Sequence, residues 1–585
     1  MAATEPFVGD LLMSFPTPRS LWKTLNRNWL VGYEGAFLKE TFLKETALEK
    51  IDLEKIDSGK TDLESIDLEK TDLEKTYSVQ SNQNFVLSKI NQEWLTAVES
   101  RRAKLERCKQ LPPSASRLQR PKQSASDRAD ARKYRPLLLI AEPDPLDCLA
   151  SFWAALLAGW SIALANPSWG DRERAAACQT LRPDLVWPID SFPCWSAAPF
   201  ASERDRTALP SGLAAILIPT GGTSGQIRFA CHTWTTLMTA ASSFCQTFQQ
   251  PIHTYCVLPV YHVSGLMQLL RAWFSQAQVI IAPFKSLVKS LENQPALIAN
   301  PTGWYISLVP TQLARLLAVD KGSWLSQFRA VLLGGAPPWP DILTQAVQQK
   351  IPVYLSYGMT ETAAMVTVQR LEPALNVQNP GSGSALPHAK LSIEVEGKAQ
   401  PPNMPGQVVV RSWAIARGYY SACESSSPKL SRQNLEQDLS EQDREQELVE
   451  QAFYTDDLGY LTAAGQLHII GRASDKIISG GENIFPAEVE AALRSTGQVK
   501  DVCVFGLPDP LWGEAVVAAF VPANLNVTAA SLQAALSGGT ASLLSRYKHP
   551  KRWIPLSILP RNAQGKLLKS VLLAQIRLYQ ADVPS

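Results

Sequence analysis

The sequence predicts an α/β protein with a large N-terminal domain of parallel-type β-sheets flanked by helices and a small α+β C-terminal domain. The chain has 585 residues, which is long enough for two or more domains. From Tyr134 onward, short apolar segments alternate with helical patterns, an order typical of parallel sheets. From about Gly471, a tail of more than a hundred residues carries its own β/α pattern. We therefore assign residues 134–471 to the large domain and residues 472–585 to the small one.

Each predicted strand of the large domain is a short apolar segment. These segments are Leu137–Ala141, Ser161–Ala165, Leu213–Ile218, Tyr255–Leu258, Gln278–Ala282, Tyr305–Val309, Ala330–Leu333 and Pro352–Ser356. Helical patterns lie between several of them, for example at Thr311–Val319 and Asp341–Gln349. In the small domain we predict strands at Val502–Phe505 and Ala515–Val521 and a helix near Lys566–Leu578.

One uncharged stretch, Cys148–Ala165, approaches the length of a membrane span. Pro145 precedes it and Gly159 interrupts it. These signals favour a buried helix up to about Leu157, a turn at Gly159 and a strand from Ser161. We expect no stable membrane insertion.

Residues 1–133 are predicted to form an extension before the large domain. Residues 36–75 carry a five-residue repeat with leucine at the centre of most units, and residues 108–134 have the composition of a linker. Five residues advance about 500° on a helix, so the leucines do not form one apolar stripe. We predict that the repeat is an expanded insertion without catalytic work. Residues 424–451, polar, acidic and Gln-rich, are predicted to be a disordered insertion.

The composition excludes several classes of function. A net charge of +2 provides no field for a polyanion, so nucleic acid is not expected as a partner. The nine cysteines include no C-x-x-C pair, and no Cys/His group has zinc spacing. The N-terminus lacks the layout of a secretory signal. Together these features predict free thiols in a reducing compartment, the cytoplasm.

A segment rich in glycine and hydroxyl residues, Leu217–Arg228, follows a predicted strand. Its glycines let the backbone approach a ligand, its hydroxyls add donors, and Arg228 adds a permanent positive charge. Such a loop can hold a polyphosphate. The spacing of a Walker A loop is absent. Taken alone, the segment also fits an ordinary loop.

Five further segments offer groups suited to nucleotide and acyl chemistry. In chain order they are Leu333–Pro337, Leu355–Thr362, Tyr454–Gly459, Ile470–Glu490 and Pro560–Lys566. Each by itself also fits a plain turn, a helix cap or a solvated surface residue. In this order on one α/β chain, they resemble the core motifs of the adenylate-forming superfamily, the acyl-CoA synthetases and their relatives. The resemblance covers residues from about 134 to 578.

This resemblance implies a two-step reaction. A substrate carboxylate attacks the α-phosphorus of ATP, pyrophosphate leaves, and a thiol then attacks the acyl-adenylate. The implied cofactors are ATP, Mg²⁺ and coenzyme A, and the implied partner is a small carboxylic acid. The family alternates between the two steps by rotating its small domain about a hinge, here Ser474–Asp475, so the resemblance implies a mobile lid.

The resemblance also assigns roles by motif. For pyrophosphate it implies Thr220, Gly221, Gly222, Thr223, Ser224, Gly225 and Arg228, the last standing where relatives usually carry lysine. For adenine it implies Tyr357 with Gly334, Gly335, Ala336 and Pro337; for ribose, Asp457 helped by Arg472, although relatives often have glycine where Asp456 stands. For catalysis it implies Thr360 at the α-phosphate, Glu361 as the Mg²⁺ ligand and Lys566 between substrate carboxylate and phosphate. For the thiol tunnel it implies Ser479, Gly480 and Gly481.

The acyl pocket is predicted from Leu258–Arg271. His262 stands where the family places a pocket gate, followed by Ser264. Arg271 lies in an otherwise apolar helical pattern, where a charge is costly unless it reaches solvent or an anion. Two alternatives stay open: Arg271 extends to the surface, or it faces the pocket and binds a second carboxylate of the substrate.

The second alternative predicts a keto-dicarboxylic aromatic acid. With residues 477–490, this stretch resembles the branch of the superfamily that activates 2-succinylbenzoate on the route to menaquinone or phylloquinone. The alternatives are an aryl- or fatty-acyl-CoA ligase, or, in a different class, a non-catalytic homologue that acts as a scaffold.

Overall fold

The computed structural model of the protein describes residues 30–33, 94–107, 135–188, 214–221, 227–293, 301–319, 321–373, 377, 380–420, 451–537, 544–561, 567–568 and 571–576. The predicted repeat (36–75) and linker (108–134) lie outside these residues. So does the predicted insertion 424–451, except for Gln451, which begins a regular strand rather than ending a disordered loop.

The strands are β1 (Leu30–Tyr33), β2 (Leu137–Ile140), β3 (Ser161–Leu164), β4 (Leu185–Trp187), β5 (Ala215–Gly221), β6 (Ile227–Thr233), β7 (His253–Cys256), β8 (Val279–Ile281), β9 (Trp304–Leu308), β10 (Ala330–Leu333), β11 (Val353–Met359), β12 (Ala364–Arg370), β13 (Ser384–Ala385), β14 (Ala389–Val395), β15 (Lys398–Ala399), β16 (Gly406–Ser412), β17 (Gln451–Leu461), β18 (Leu467–Arg472), β19 (Ile477–Ser479), β20 (Glu482–Ile484), β21 (Val499–Asp509), β22 (Gly513–Pro522) and β23 (Arg552–Pro555). All eight strands predicted for the large domain are present, with shifts of a few residues at their ends.

The helices are α1 (94–107), α2 (Pro145–Ala158), α3 (Asp171–Leu181), α4 (Trp234–Phe248), α5 (Val263–Phe274), α6 (Phe284–Asn293), α7 (Pro310–Ala318), α8 (Gly322–Leu325), α9 (Pro340–Gln348), α10 (Pro486–Ser495), α11 (Ala529–Ser537) and α12 (571–576). The two helices predicted from periodicity, now α7 and α9, are each displaced by one residue.

The first sheet has the strand order β4-β2-β3-β5-β6, with only β6 antiparallel to its neighbour. The buried helix α2 packs on it. The Asp144 carboxylate accepts the amide of Leu146 at 2.8 Å and caps the helix, which ends at Gly159 with a left-handed φ of 70°. This confirms the predicted helix, turn and strand. Within the described part of the chain, no helix combines the length and apolar character needed to cross a bilayer.

The second sheet has eight strands in the order β1-β8-β7-β9-β10-β11-β12-β13. The first six strands in this order, from β1 to β11, run parallel to one another. At the other side of the sheet, β12 is antiparallel to β11, and β13 is antiparallel to β12. The predicted α/β class is confirmed, with mixed rather than purely parallel sheets. In the parallel part, the carboxyl ends of the strands meet at one edge, where binding residues usually collect.

Two segments of the predicted N-terminal extension belong to the large domain, so the boundary at residue 133 is wrong for them. Strand β1 pairs in parallel with β8 and completes the second sheet. Helix α1 buries Trp94 against α2, and its indole Nε1 donates to the Leu146 carbonyl at 3.0 Å. Arg101 adds an ion pair with Asp147 at 2.6 Å. Linear composition could not reveal these long-range contacts.

The third sheet is antiparallel, in the order β15-β14-β16-β17-β18, and the alternation rule did not predict it. Arg472 is the last residue of β18 and is the cross-strand partner of Asp457 on β17. The boundary predicted between residues 471 and 472 therefore cuts a strand: Arg472 belongs with the large domain.

The small domain contains the fourth sheet, in the order β20-β19-β22-β21, with β23 beside β22. The two predicted strands lie inside the longer β21 and β22. Of the helix predicted near Lys566–Leu578, the described part is α12. Arg494 on α10 places its guanidinium 5.4 Å from the ring centre of Trp339, just before α9, which joins the small domain to the large one.

Candidate active site

The glycine-rich segment begins in one strand and ends in another, and the two strands pair antiparallel. Strand β5 includes Thr220 and Gly221, and β6 includes Arg228, which pairs with Thr220. The predicted loop is wrong for these three residues, because antiparallel pairing extends into the segment. Gly222, Thr223, Ser224 and Gly225 lie outside the described residues.

Arg228 is linked to the predicted metal ligand through an aromatic residue. The Arg228 guanidinium lies 4.5 Å from the ring centre of Tyr419, and the Tyr419 hydroxyl donates to Glu361 Oε1 at 2.5 Å. Burial, and then the charge of Glu361, raise the pKa of Tyr419. Tyr419 occupies this position because its backbone pairs with Ala230 on β6. One stack and one hydrogen bond thus place a cation over the ring of Tyr419 and a carboxylate at its hydroxyl.

Thr360 and Glu361 lie in a short 3-10 turn, Thr360–Thr362, between β11 and β12. The alternative of a helix capped by Thr360 is wrong, because an antiparallel strand follows the turn. The turn ends in two left-handed residues, Ala363 (φ 53°) and Ala364 (φ 76°). Non-glycine residues in this conformation cost about 1–3 kcal/mol each, so surrounding contacts must hold the turn.

One such contact comes from His232, at the end of β6. Its Nε2 lies 2.7 Å from the Thr360 carbonyl oxygen and donates to it, and its Nδ1 lies 3.1 Å from Thr236 Oγ1. The ring is fully buried. Burial lowers the pKa of His232 to about 4, although the bond to the Thr360 carbonyl acts in the opposite direction. The neutral imidazole therefore ties the hairpin to the turn that carries Thr360 and Glu361.

The residues predicted for adenine and ribose are in direct contact. The Tyr357 hydroxyl donates to Asp457 Oδ2 at 2.6 Å, and Arg472 Nε donates to Asp457 Oδ1 at 3.2 Å. Burial, and then the Asp457 charge, raise the pKa of Tyr357. Asp457 is 6% exposed.

Asp456, the neighbouring candidate, is exposed on the other face of β17. It accepts hydrogen bonds from the amide and the hydroxyl of Ser474, in the predicted hinge. The two aspartates are therefore separated by strand alternation: Asp457 lies beside Tyr357, and Asp456 lies at the hinge turn.

Gly334 to Pro337 follow β10 and lie beside the end of β11, which carries Tyr357. A Cβ on Gly334 would lie 2.5 Å from Ser356 Oγ, so a larger residue there would displace the Ser356 hydroxyl. Gly335, with φ 83°, turns the chain away, and Ala336 and Pro337 are exposed. The segment is therefore placed along the side of the Tyr357 strand.

The acyl-pocket candidates lie on and before α5. His262 is the N-cap residue, and its carbonyl accepts the amide of Leu266 at 2.9 Å. Ser264, Gln268 and Arg271 are spaced by four and three residues and share one face of the helix. The Gln268 side chain donates to the Ser264 carbonyl at 2.8 Å.

Arg271 does not extend to the surface, because it is 4% exposed. Its guanidinium stacks 4.1 Å from the ring centre of Phe244 on α4. Burial lowers the pKa of Arg271 to about 10. Among the residues that the structure describes, no carboxylate forms an ion pair with Arg271, and Nε has no hydrogen-bond partner. The alternative of a surface arginine is wrong.

The residues predicted for the thiol tunnel are separate from this cluster. Ser479, Gly480 and Gly481 form the β19–β20 hairpin, whose two-residue turn has φ values of 60° and 84° and thus requires glycine-like conformations. No hydrogen bond between described residues joins this hairpin to the residues above. Lys566 lies outside the described residues.

No cluster of three or more possible metal ligands occurs within the described part of the chain. Glu361 uses one carboxylate oxygen for Tyr419, which leaves the second for a metal. A single carboxylate together with phosphate oxygens is a common binding mode for Mg²⁺, so the donor type fits that ion.

Three residues of this region were not predicted from the sequence: His232, Tyr419 and His388. His232 and Tyr419 contact Thr360 and Glu361, as described above. His388 lies close enough to Arg271 for the arginine charge to lower the pKa of its imidazole. Its Nδ1 forms a hydrogen bond with Ser243 Oγ at 2.8 Å. No spacing motif signals them, because each acts through a contact more than fifty residues away along the chain.

Comparison with known proteins shows which families the chain resembles. Residues 137–420 match the family described as AMP-binding enzyme, and residues 488–566 match the AMP-binding enzyme C-terminal domain. A 2-succinylbenzoate–CoA ligase of Enterococcus faecalis is 32% identical over 326 residues, which are 55% of this chain and 61% of that protein. One from a Bacillus cereus strain is 31% identical over 379 residues, 64% of this chain and 72% of that protein.

A solved structure, o-succinylbenzoate CoA synthetase (MenE) from Bacillus subtilis in complex with the acyl-adenylate intermediate OSB-AMP, aligns with a TM-score of 0.61 at 25% identity. The alignment covers 76% of this chain and 90% of that one. The chain spans about three fifths of the length of several curated relatives that it matches. With both domain types matched in order and the Bacillus cereus protein covered over more than two thirds of its length, the chain belongs to the AMP-binding enzyme family, within the adenylate-forming superfamily.

Proposed function

We propose that this protein is an AMP-forming acid–thiol ligase that converts 2-succinylbenzoate, ATP and coenzyme A into 2-succinylbenzoyl-CoA, AMP and pyrophosphate. The observation that carries the substrate choice is Arg271, a buried cation without an anionic partner among the described residues. The relatives described above are 2-succinylbenzoate–CoA ligases, and a Bacillus subtilis synthetase has been solved in complex with ATP and magnesium ion, at 25% identity and a TM-score of 0.59.

In the first step, the carboxylate of the succinyl chain attacks the α-phosphorus of ATP, and pyrophosphate leaves. Arg228 and the hairpin backbone would hold the β- and γ-phosphates, because negative charge develops on their oxygens. Thr360 would donate to the α-phosphate, and Glu361 would hold Mg²⁺, which neutralises phosphate charge when bound. His232 supports both residues by fixing the Thr360 carbonyl.

The nucleotide would lie between the Tyr357 ring and the exposed segment Gly334–Pro337. Asp457 would accept the ribose hydroxyls while its other oxygen stays bonded to Arg472. The existing bond from Tyr357 to Asp457 holds the carboxylate and the ring in one orientation before ATP arrives. That pre-organisation lowers the ordering cost of binding.

In the second step, the thiol of coenzyme A attacks the carbonyl carbon of the acyl-adenylate, and AMP leaves. We infer that the small domain serves both steps by rotation at the predicted hinge Ser474–Asp475, which lies in the turn Ala473–Asp475. One orientation would bring in Lys566 for adenylation, and the other would bring in the hairpin that contains Ser479–Gly481. His262, at the N-terminus of α5, would gate the acyl pocket.

The substrate's second carboxylate, on the aromatic ring, would bind at Arg271. A buried arginine costs several kcal/mol of desolvation unless an anion compensates its charge. 2-Succinylbenzoate has such a group, whereas benzoate and fatty acids carry only the carboxylate that reacts. We place the reaction in menaquinone or phylloquinone biosynthesis in the cytoplasm.

The experiment is pyrophosphate release by the purified protein with ATP, MgCl₂ and coenzyme A, comparing 2-succinylbenzoate, benzoate and a fatty acid. We expect release with 2-succinylbenzoate and little with the other two. Equal release with benzoate or a fatty acid would make the protein an aryl- or fatty-acyl-CoA ligase. No release with any acid, from protein that is folded, would favour a non-catalytic scaffold.

A further inference from the structure

Arg271 has a buried histidine as its neighbour. His388, between β13 and β14, is 4% exposed, like Arg271 itself. The two side chains are close enough for the arginine charge to contribute, after burial, to lowering the pKa of His388 to about 4. Consecutive residues of α4 fix both of them: Ser243 bonds to His388, and Phe244 stacks on Arg271. One turn of one helix therefore sets their relative position.

The hydrogen bonds of His388 assign its ring proton. Ser243 Oγ accepts the backbone amide of His388 at 3.2 Å and lies 2.8 Å from Nδ1. The Ser243 hydroxyl has no other acceptor for its own proton among the described residues, so it donates to Nδ1, and the neutral ring then carries its proton on Nε2. That Nε2 is buried and has no partner among the described residues.

Two buried N–H donors held by neighbouring residues of α4 are thus left unsatisfied: Nε of Arg271 and Nε2 of His388. Buried donors without an acceptor are rare, because each forfeits its hydrogen bonds to water. Neither a carboxylate nor a carbonyl of the described residues fills this role for Arg271. The chemistry that satisfies one cation and one neutral donor together is a carboxylate with two oxygens.

We propose that His388 and Arg271 together bind the aromatic-ring carboxylate of the acyl substrate, and that His388 determines specificity for that carboxylate. The inference rests on the proposed function and adds to it a second recognition residue. His388 donates from Nε2 to one carboxylate oxygen, and the Arg271 guanidinium takes the other. Ser243 acts as a positioning residue, because it orients the imidazole and sets its tautomer.

The test compares two acids that differ only in that group: 2-succinylbenzoate and 4-oxo-4-phenylbutanoate, which lacks the ring carboxylate. Two variants separate the ring nitrogens. His388→Asn keeps a polar group near the Nδ1 position, for Ser243, but removes the donor at the Nε2 position; His388→Gln reaches that position with its amide nitrogen. His253→Asn, at the amino end of β7, is the control for loss of a histidine elsewhere in the large domain.

For pyrophosphate release, we expect His388→Asn to raise the KM for 2-succinylbenzoate about tenfold to a hundredfold, the usual effect of removing a hydrogen bond to a charged group. The KM for 4-oxo-4-phenylbutanoate should change little in the same variant. His388→Gln should recover part of the loss, and His253→Asn should change neither KM. The loss in the double variant His388→Asn/Arg271→Gln should be smaller than the sum of the losses in the two single variants, since both residues act on one carboxylate.

Equal losses with both acids would show that His388 is structural and would overturn the inference, as would unchanged KM values for both. If the asparagine variant fails to fold, the wild-type protein still decides: comparable kcat/KM for the two acids overturns the carboxylate subsite. Absence of pyrophosphate release by the wild type with 2-succinylbenzoate is a different result, because it removes the proposed function and the inference with it.

Discussion

The hydroxyl of Tyr357 donates to Oδ2 of Asp457 across 2.6 Å and thereby joins the end of a parallel strand in the second sheet to an antiparallel strand in the third. The two residues are a hundred positions apart in the chain. Asp457 on β17 also forms an ion pair with Arg472 on β18. Strand β18, the last before the hinge, is therefore connected through Asp457 to β11, the strand that precedes Thr360 and Glu361.

Tyr357→Phe keeps the aromatic ring but removes this hydrogen bond. We expect the KM for ATP to rise about tenfold, in line with the loss of one charge-assisted hydrogen bond, with a smaller change in the KM for the acid. Initial rates of pyrophosphate release against ATP concentration measure this. Tyr354→Phe, earlier in the same strand, is the control and should leave both values unchanged.

Tyr419→Phe leaves the ring beneath Arg228 and frees the Glu361 carboxylate. Groups that orient a metal ligand typically contribute about tenfold to a hundredfold in metal affinity. We therefore expect the Mg²⁺ concentration for half-maximal pyrophosphate release to rise about tenfold. A lower Mg²⁺ requirement in the variant would mean that Tyr419 competes with the ion instead of orienting its ligand.

His232 and His388 predict a loss of stability in acid. Burial holds the pKa of each at about 4, below the value of about 6.5 in an unfolded chain. The unfolded state binds these protons first, so their contribution is complete above about pH 6.5 and is lost as pH falls toward 4. Each contributes on the order of 3 kcal/mol.

Thermal unfolding at pH 7 and pH 5 checks this. The wild type should lose Tm over that interval, and His232→Gln, although less stable at pH 7, should lose less. Arg370→Gln, on the exposed surface, should keep the wild-type difference. An equal pH effect in His232→Gln and the wild type would contradict the assignment of a buried neutral imidazole.

Arg271→Met should change stability and activity in opposite directions. Replacing a buried charge that has no partner by an apolar chain of similar length should stabilise the free protein, by about 1–4 kcal/mol. The same change should cost about 2–5 kcal/mol in kcat/KM for 2-succinylbenzoate. Arg494→Met is the matched control: it removes the ion pairs to Glu490 and Asp501, and should therefore destabilise. An unchanged KM for the dicarboxylate would refute the role of Arg271.

Lys566→Ala should abolish formation of the acyl-adenylate but spare thioester formation from supplied acyl-adenylate, because the lysine is proposed to act only in the first step. Pyrophosphate release and coenzyme A consumption measure the two steps separately. Lys500→Ala, an exposed lysine of β21, should affect neither. Equal loss of both steps in Lys566→Ala would contradict the alternation of the lid.

Local sequence signals were sufficient for eight strands and three helices of the large domain. Apolar segments bounded by turn residues predicted β10 without error and α7 and α9 within one residue, because burial and backbone propensity act over a few neighbouring residues. The same signals did not reveal the third sheet, the inclusion of α1 and β1 in the large domain, or the extension of β5 and β6 into the glycine-rich segment. Those depend on pairing between distant strands.

The order of the motifs along the chain was enough to predict the family, since each motif carries its residue types at fixed spacing. Only the tertiary structure decided how the side chains are used. It separated Asp457 from Asp456 by strand alternation, and buried Arg271 where a surface position was equally compatible with its sequence. It also brought His232, Tyr419 and His388 to residues far away in the chain. The physical reason is that periodicity encodes which face of an element is apolar, whereas the partner that satisfies a buried charge or donor is set by the packing of several elements at once.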